Sequence, residues 1–285
     1  MSTQISPIIS VAELQNLLQS KEEVLIFDVS NGKEAKENYE KKHLKNAIFV
    51  DINSQLANIK ENLAEGGRHP LPEIKDFAKV LGQLGISPAT HVVVYDDKNG
   101  ANAAARFWWM LKAVNHNKVQ VLDGGLANAE KNNFPIDNEV VISKSVGDYP
   151  VEKWVLPQVT IETIDKVKEQ KDYIIIDVRE ESRYNGISEP IDLIAGHIPN
   201  AINIPFTNNL DANGLFLEKE KLQQVYKEVL DTVKPENVII VHCGSGVTAC
   251  HTILAMHYAG YNFPNLYVGS WSEWSRNNKE MVLKH

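Results

Sequence analysis

Val238-Ile239-Ile240-Val241-His242-Cys243-Gly244-Ser245-Gly246-Val247-Thr248-Ala249-Cys250 is an apolar, β-branched run that stops at a cysteine and turns through two glycines. Such a run, closed by a Gly-containing loop, reads as a buried strand, and Thr248 to Ala259 reads as the helix that follows it. The same phrase occurs earlier in the chain. Val92-Val93-Val94-Tyr95-Asp96 leads through a loop containing Gly100 into a helix-like segment, Ala103 to Ala113. Working outward, Val24-Leu25-Ile26-Phe27-Asp28 is matched by Ile174-Ile175-Ile176-Asp177, and His43-Leu44-Lys45-Asn46-Ala47-Ile48 by His197-Ile198-Pro199-Asn200-Ala201-Ile202. A last pair is Val121-Leu122-Asp123-Gly124-Gly125-Leu126 and Leu266-Tyr267-Val268-Gly269-Ser270-Trp271. The separations are 149 residues for Asp28 and Asp177, 154 for His43 and His197, 147 for Asp96 and Cys243, and 145 for Leu122 and Tyr267. Four landmarks in one order at nearly constant separation mark an internal duplication.

Short β-branched runs alternating with helix-like segments predict an α/β fold, with two mostly parallel sheets flanked by helices. The 285 residues suit two domains near the common size. Residues 1–140 form the first, 158–285 the second, and 141–157, with Gly147, Pro150 and Pro157, the linker. Hydrophobic residues at 43% and charged residues at 23% exclude disordered and fibrous classes. Lys and Arg number 29 against 37 Asp and Glu, a net charge of −8, which argues against nucleic acid as the main partner. No apolar run approaches a membrane span, and the first ten residues lack the basic and apolar regions of a signal peptide. Two cysteines cannot build a disulfide framework. The expectation is a soluble, cytoplasmic protein with reduced thiols and no membrane partner.

The loop after Cys243 carries the chemistry. Gly244 and Gly246 let backbone N–H groups turn inward as an anion-binding nest, and a helix starting near Val247 or Thr248 adds the positive end of its dipole. Both favour a charged sulfur, the form in which a cysteine is a nucleophile. Cys250, further along among apolar neighbours, reads as a buried structural thiol. Asp96 occupies the place of Cys243 in the first copy, where a carboxylate cannot do thiol chemistry, so residues 1–140 read as catalytically degenerate. A cysteine phosphatase would need an arginine six residues after the cysteine to clamp phosphate, and that position is Ala249. His251 and His257 lack metal-ligand spacing, so no metal is expected. Lys33 to Lys45 mixes charges and reads as a solvated helix face. Trp271 and Trp274 fit a pocket roof or a core equally well.

At Cys243-Gly244-Ser245-Gly246-Val247-Thr248-Ala249 the chain resembles the rhodanese superfamily, and within it the tandem-domain 3-mercaptopyruvate sulfurtransferases. The resemblance covers essentially the whole chain. It extends to Asp177-Val178-Arg179, Gly196-His197-Ile198-Pro199-Asn200-Ala201, Trp108-Trp109 and Gly269-Ser270-Trp271-Ser272-Glu273-Trp274. It implies two tandem rhodanese-like domains and transfer of sulfur from a small-molecule donor through a Cys243 persulfide. The acceptor would be cyanide, a small thiol or reduced thioredoxin, and no cofactor is needed. It further implies that Arg183 binds the donor carboxylate, that Ser245 polarises the substrate or relays protons, and that His69 approaches the site from the first copy. Gly244, Gly246, Val247 and Thr248 would cradle the substrate. Thiosulfate sulfurtransferases are similar too but usually carry Arg-Lys-Gly after the cysteine. Thiosulfate is a dianion, whereas mercaptopyruvate has one carboxylate and a polar carbonyl, which suits an uncharged Gly244-Ser245 loop. A sulfur-carrier module with little turnover is a third reading, against which the presence of both Cys243 and Arg183 counts.

Two departures stand out. The family often has a second arginine in a Glu-Pro-Arg phrase, where this chain has Glu189-Pro190-Ile191. The lost guanidinium predicts weaker mercaptopyruvate binding unless Arg179 or Arg68 stands in for it. An aspartate that supports the histidine in the family falls at Asn53 here, which can orient an imidazole but cannot stabilise its cation by charge.

Overall fold

A computed structural model of the chain describes residues 5–230, 234 and 236–283. Two compact units are present, and neither is contiguous in sequence. The first comprises Met1–Ala57, Pro72–Val155 and Ala212–Leu215, and the second Asn58–Leu71, Leu156–Asp211 and Phe216–His285. The short segment 58–71 therefore folds with the second unit although it precedes most of the first.

The first unit contains strands β1 (Ile8–Ile9), β2 (Val24–Asp28), β3 (His43–Leu44), β4 (Ile48–Phe49), β5 (His91–Tyr95), β6 (Val119–Leu122) and β7 (Ile136–Asp137). Its main sheet is wholly parallel in the order β1-β6-β5-β2-β4, and β3 pairs antiparallel with β7. The second unit contains β8 (Gln158–Val159), β9 (Tyr173–Asp177), β10 (Ile202–Asn203), β11 (Val238–His242) and β12 (Asn265–Tyr267). Its sheet is also parallel, in the order β8-β12-β11-β9-β10. The two orders are the same path through a sheet. In one, Tyr95 is registered against Asp28, and in the other His242 is registered against Asp177. The duplication seen in the sequence is thus a duplication of topology.

Parallel strands need helical crossovers that cover both sheet faces, so the strands lose their alternation and become continuous apolar runs. All five residues of β5 are buried. The helix after it, Ala103–Lys112, is buried at every position from Ala103 to Leu111, including Trp108 and Trp109. Its counterpart Thr248–Tyr258 is buried at every position from Ala249 to Met256. Leu14, Ile26, Leu44, Val93, Leu122 and Phe134 centre one core cluster, and Ile164, Ile175, Ile198, Ile240, Tyr267, Trp271 and Trp274 form another. Trp271 and Trp274 are core side chains, both 0% exposed.

Local signals fix the element ends. Ser10 caps helix Val11–Leu18 in a reciprocal box with Glu13, an arrangement worth about 1 kcal/mol. The charged stretch after β2 forms helix Ala35–Lys41, which buries Ala35 and Tyr39 and leaves a Glu37–Lys41 ion pair in solvent. Among the described residues, no helix is long and apolar enough to cross a membrane.

Candidate active site

Cys243 follows directly on β11, at the carboxyl end of a central strand, where open α/β sheets place their ligand sites. Its surroundings hold the loop from behind. The Cys243 N–H donates to Ser270 Oγ at 3.2 Å, the Cys243 carbonyl accepts from the Trp271 N–H at 3.0 Å, and the Gly244 carbonyl accepts from the Ser272 N–H at 2.8 Å. Gly246 has φ +71°, and a Cβ there would lie 2.5 Å from the Val268 carbonyl oxygen, so the turn requires glycine. Val247 returns to the right-handed region and helix Thr248–Tyr258 begins. Among the described residues no acceptor is found for the N–H groups of Gly244, Ser245, Val247 and Thr248. Left-handed Gly246 followed by right-handed Val247 makes the concave array of donors that binds anions, reinforced by the helix N-terminus.

The first unit offers an internal control for that reading. Asp96 follows β5 as Cys243 follows β11, and its carboxylate fills the corresponding loop. Oδ1 accepts from the N–H groups of Lys98 at 2.9 Å and Gly100 at 2.8 Å, and Oδ2 from those of Asn102 and Ala104, both at 3.1 Å. Burial pushes the Asp96 carboxyl up to about 6, against the pull of these four donors. One copy of the loop holds a negative charge of its own, whereas the other leaves its amides for a charge that develops on or arrives at Cys243. Asp96→Ala strands donors inside the fold, and a loss of about 3 kcal/mol in the stability of the first unit is expected in denaturant melts.

His69 and Ser245 meet in the second unit. His69 Nδ1 and Ser245 Oγ lie 2.8 Å apart, and both residues are buried. Segment 58–71 is fixed beside the loop by three contacts. The Gly66 N–H donates to Glu273 Oε1 at 2.8 Å, the Arg68 N–H to Ser272 Oγ at 3.0 Å, and Asn277 Nδ2 to the Ala64 carbonyl at 3.0 Å. Gly67, at φ +76°, has the Gly269 carbonyl oxygen 2.4 Å from where a Cβ would be, so the segment approaches too closely for a side chain. Glu273 is buried, which raises its carboxyl, and it also accepts from the Tyr267 hydroxyl at 2.9 Å. Asn53, by contrast, is an exposed residue of helix Ile52–Gln55 in the first unit, with its N–H on Asp51.

Arginines crowd the other side of the loop. A Cβ on Gly244 would lie 2.9 Å from Arg68 Nη2, 3.3 Å from Arg183 Nη2 and 3.5 Å from Asp192 Oδ2. Asp192, whose side chain is fully buried, accepts from three guanidiniums: Arg68 Nε at 3.1 Å, Arg183 Nη2 at 3.3 Å and Arg276 Nη1 at 3.1 Å. Glu189 pairs with Arg183 at 2.9 Å and with Arg179 at 3.3 Å. Burial would raise the Glu189 carboxyl, but hydrogen bonds and charge from Arg183 hold it below its ordinary value. Arg179 is committed elsewhere. Its Nη2 donates to Asp177 Oδ2 and the Gly196 carbonyl, both at 2.6 Å, and its guanidinium stacks 4.6 Å over the Trp271 ring.

The second unit thus gathers every site residue read from the sequence: Cys243, the loop from Gly244 to Thr248, Arg183 and His69. Cys250 is fully buried with its thiol on the Gly246 carbonyl at 3.2 Å, a packing role. Asp192, Arg276, Ser270, Ser272 and Glu273 were not legible as site residues. The nearest signal for Asp192 is its place directly after Ile191, where the family arginine is absent. Among the described residues, no group of three or more His, Cys, Asp and Glu side chains is arranged to hold a metal ion.

Comparison with known proteins agrees with this architecture. The family model for the rhodanese-like domain matches residues 10–132 and again 160–277. A probable 3-mercaptopyruvate sulfurtransferase from Pseudomonas aeruginosa is 37% identical over 246 residues, covering 86% of this chain and 85% of the relative. Thiosulfate sulfurtransferase from Gallus gallus is 34% identical over 249 residues, covering 85% and 81% respectively. The crystal structure of the 3-mercaptopyruvate sulfotransferase SseA from Escherichia coli superposes with a TM-score of 0.76 at 27% identity, covering 94% of this chain and all of that one.

Proposed function

This chain belongs to the rhodanese family, and from that membership we propose that it is a sulfurtransferase that takes sulfur from 3-mercaptopyruvate through a persulfide on Cys243. The observation that carries the reading is Cys243 at a strand end, in a loop whose amides are open, with guanidiniums against Gly244. The Cys243 thiolate attacks the donor sulfur. The carbon–sulfur bond breaks, and its electron pair leaves with the organic fragment as the pyruvate enolate, which takes up a proton. The persulfide then meets an acceptor thiolate or cyanide at its outer sulfur, and the sulfur–sulfur bond breaks to return Cys243 as thiolate. The loop amides stabilise negative charge on sulfur in both half-reactions.

Arg183, 3.3 Å from the Gly244 Cβ position, binds the donor carboxylate. Ser245, hydrogen-bonded to His69, polarises the donor carbonyl and delivers the proton to the enolate. Gly244, Gly246, Val247 and Thr248 form the cradle. Residues 158–285 are read as the catalytic copy and residues 1–140 as the copy without catalytic role, its loop closed by Asp96. Reduced thioredoxin is a fitting protein acceptor, and the cytoplasm a fitting compartment, because both keep the chemistry in thiol form.

A thiosulfate donor is favoured by the number of arginines near the loop. Their charge is largely spent, however. Four guanidiniums (Arg68, Arg179, Arg183 and Arg276) face the buried carboxylates of Asp177, Glu189 and Asp192, and Arg183 also meets the exposed Glu180 at 3.5 Å, which leaves at most one positive charge for a donor carboxylate. Steady-state kinetics with both donors side by side, and with cyanide and a dithiol as acceptors, test the choice. The expected result is a kcat/KM for mercaptopyruvate above that for thiosulfate by at least about tenfold, the worth of one charge-assisted contact. A preference for thiosulfate would overturn it.

A further inference from the structure

We propose that His242 is a positioning residue for the sulfur-transfer loop: its imidazole holds the Cys243 carbonyl so that the Gly244 N–H faces the sulfur. The inference rests on the sulfurtransferase reading above and deepens it.

His242 ends β11, is 0% exposed and is registered against Asp177 on β9. Its Nδ1 lies 3.2 Å from the Cys243 carbonyl oxygen. A carbonyl oxygen can only accept, which assigns a ring proton to Nδ1. The other ring nitrogen, Nε2, has no hydrogen-bond partner among the described residues, and Asp177 Oδ2 stands 3.7 Å from it. Burial holds the imidazole below its ordinary value, against the pull of Asp177, so the Nδ1 proton is its only one at neutral pH. Arg179 and His197 also oppose its cation, and the Tyr267 ring from β12 packs 6.2 Å away, centroid to centroid.

The Cys243 carbonyl thus takes two donors, the imidazole and the Trp271 N–H at 3.0 Å, which occupy both lone pairs. In a planar trans peptide the N–H points opposite to the C=O. Fixing that oxygen behind the loop therefore fixes the Gly244 N–H in front of it, among the amides that face an anion.

The first copy shows why the catalytic one needs this hold. There the Asp96 carbonyl accepts from the Leu126 N–H at 3.2 Å, the counterpart of the Trp271 contact. No imidazole stands behind it, because the position of His242 is taken by Tyr95, whose hydroxyl is turned to the Leu44 N–H at 3.0 Å. That loop is held from within instead, by four N–H groups on the Asp96 carboxylate. Cys243 brings no such anchor. Its loop has to keep its amides in place for a charge on sulfur, and the restraint comes from behind.

The test follows alkylation of Cys243 by iodoacetamide in a Cys250→Ser background, so that one thiol reports. The rate at neutral pH is divided by the rate at a pH high enough to ionise the thiol fully. His242→Asn places an amide N–H where Nδ1 was, His242→Gln places it where Nε2 was, toward Asp177, and His242→Phe removes both nitrogens. The expected result is a ratio lowered roughly tenfold in His242→Gln and His242→Phe, and within about twofold of the wild type in His242→Asn. A role in packing alone changes both rates alike and leaves the ratio where it was. A ratio unchanged in His242→Gln, or lowered equally in His242→Asn and His242→Gln, would overturn the assignment. If His242→Phe does not fold, the other two variants decide it. The comparison needs no turnover. Absence of pyruvate release from mercaptopyruvate in the wild type would defeat the donor reading alone, and the alkylation ratios would still decide the role of His242.

Discussion

Replacing Cys243 by serine is expected to lower kcat for sulfur transfer by about 10⁴-fold or more, to the background of the assay. A serine hydroxyl fits the space but ionises far less readily than a thiol and cannot carry a persulfide. KM is not expected to compensate, because in the proposed mechanism the donor is held by the loop amides and by Arg183 rather than by the sulfur. The matching control is Cys250→Ser. That side chain is fully buried, and its thiol donates to the Gly246 carbonyl at 3.2 Å. A hydroxyl can donate to the same oxygen, so activity should persist. Stopped-assay pyruvate release from mercaptopyruvate distinguishes the two variants. Comparable losses at both positions would mean that the two thiols act as a pair.

Asp192→Ala is expected to have the largest effect on stability. It leaves three guanidiniums facing one another around a space that water reaches poorly, and breaking a buried ion pair from one side costs about 3–5 kcal/mol. For a chain of this size that corresponds to a fall in Tm of roughly 10 °C. Asp192→Asn keeps the shape and one acceptor oxygen but removes the charge, and should fall between. The distinguishing observation is rescue. A small carboxylate such as acetate should raise the Tm of Asp192→Ala more than that of the wild type, because it binds the stranded cations of the folded state. A variant as stable as the wild type, without acetate dependence, would mean that the arginines find solvent without strain and that Asp192 does not organise them.

The sequence made the repeated α/β plan legible because parallel strands buried on both faces leave continuous β-branched runs that are hard to mistake. The helices Ala103–Lys112 and Thr248–Tyr258 are buried over most of their length, and their position after a Gly-containing loop identified them. The loop's geometry was equally legible, since the turn at Gly246 and the helix that starts at Thr248 are local features of the backbone. The arginine cluster was not. Arg68, Arg183 and Arg276 are far apart in the chain, and only the tertiary fold shows that the Asp192 carboxylate serves all three. The passage of segment 58–71 into the second unit was also beyond a reading by halves. It depends on Gly67 tolerating contact with the Gly269 carbonyl, and on Ser272 and Glu273 offering side-chain acceptors to Arg68 and Gly66. Periodicity cannot reveal contacts of that range. The motif Trp271-Ser272-Glu273-Trp274 was visible, but its division of labour was not. The tryptophans fill the core, while the serine and glutamate hold the segment that carries Arg68 and His69.

In the proposed mechanism Cys243 carries the sulfur between donor and acceptor. The most direct measurement is mass spectrometry of the protein after a single exposure to mercaptopyruvate without acceptor, followed by peptide mapping and then by addition of cyanide. The expected result is one added sulfur atom on the peptide containing Cys243, formed with one equivalent of pyruvate and removed by cyanide as thiocyanate. Pyruvate release without sulfur on Cys243, or sulfur resident on Cys250 instead, would contradict it.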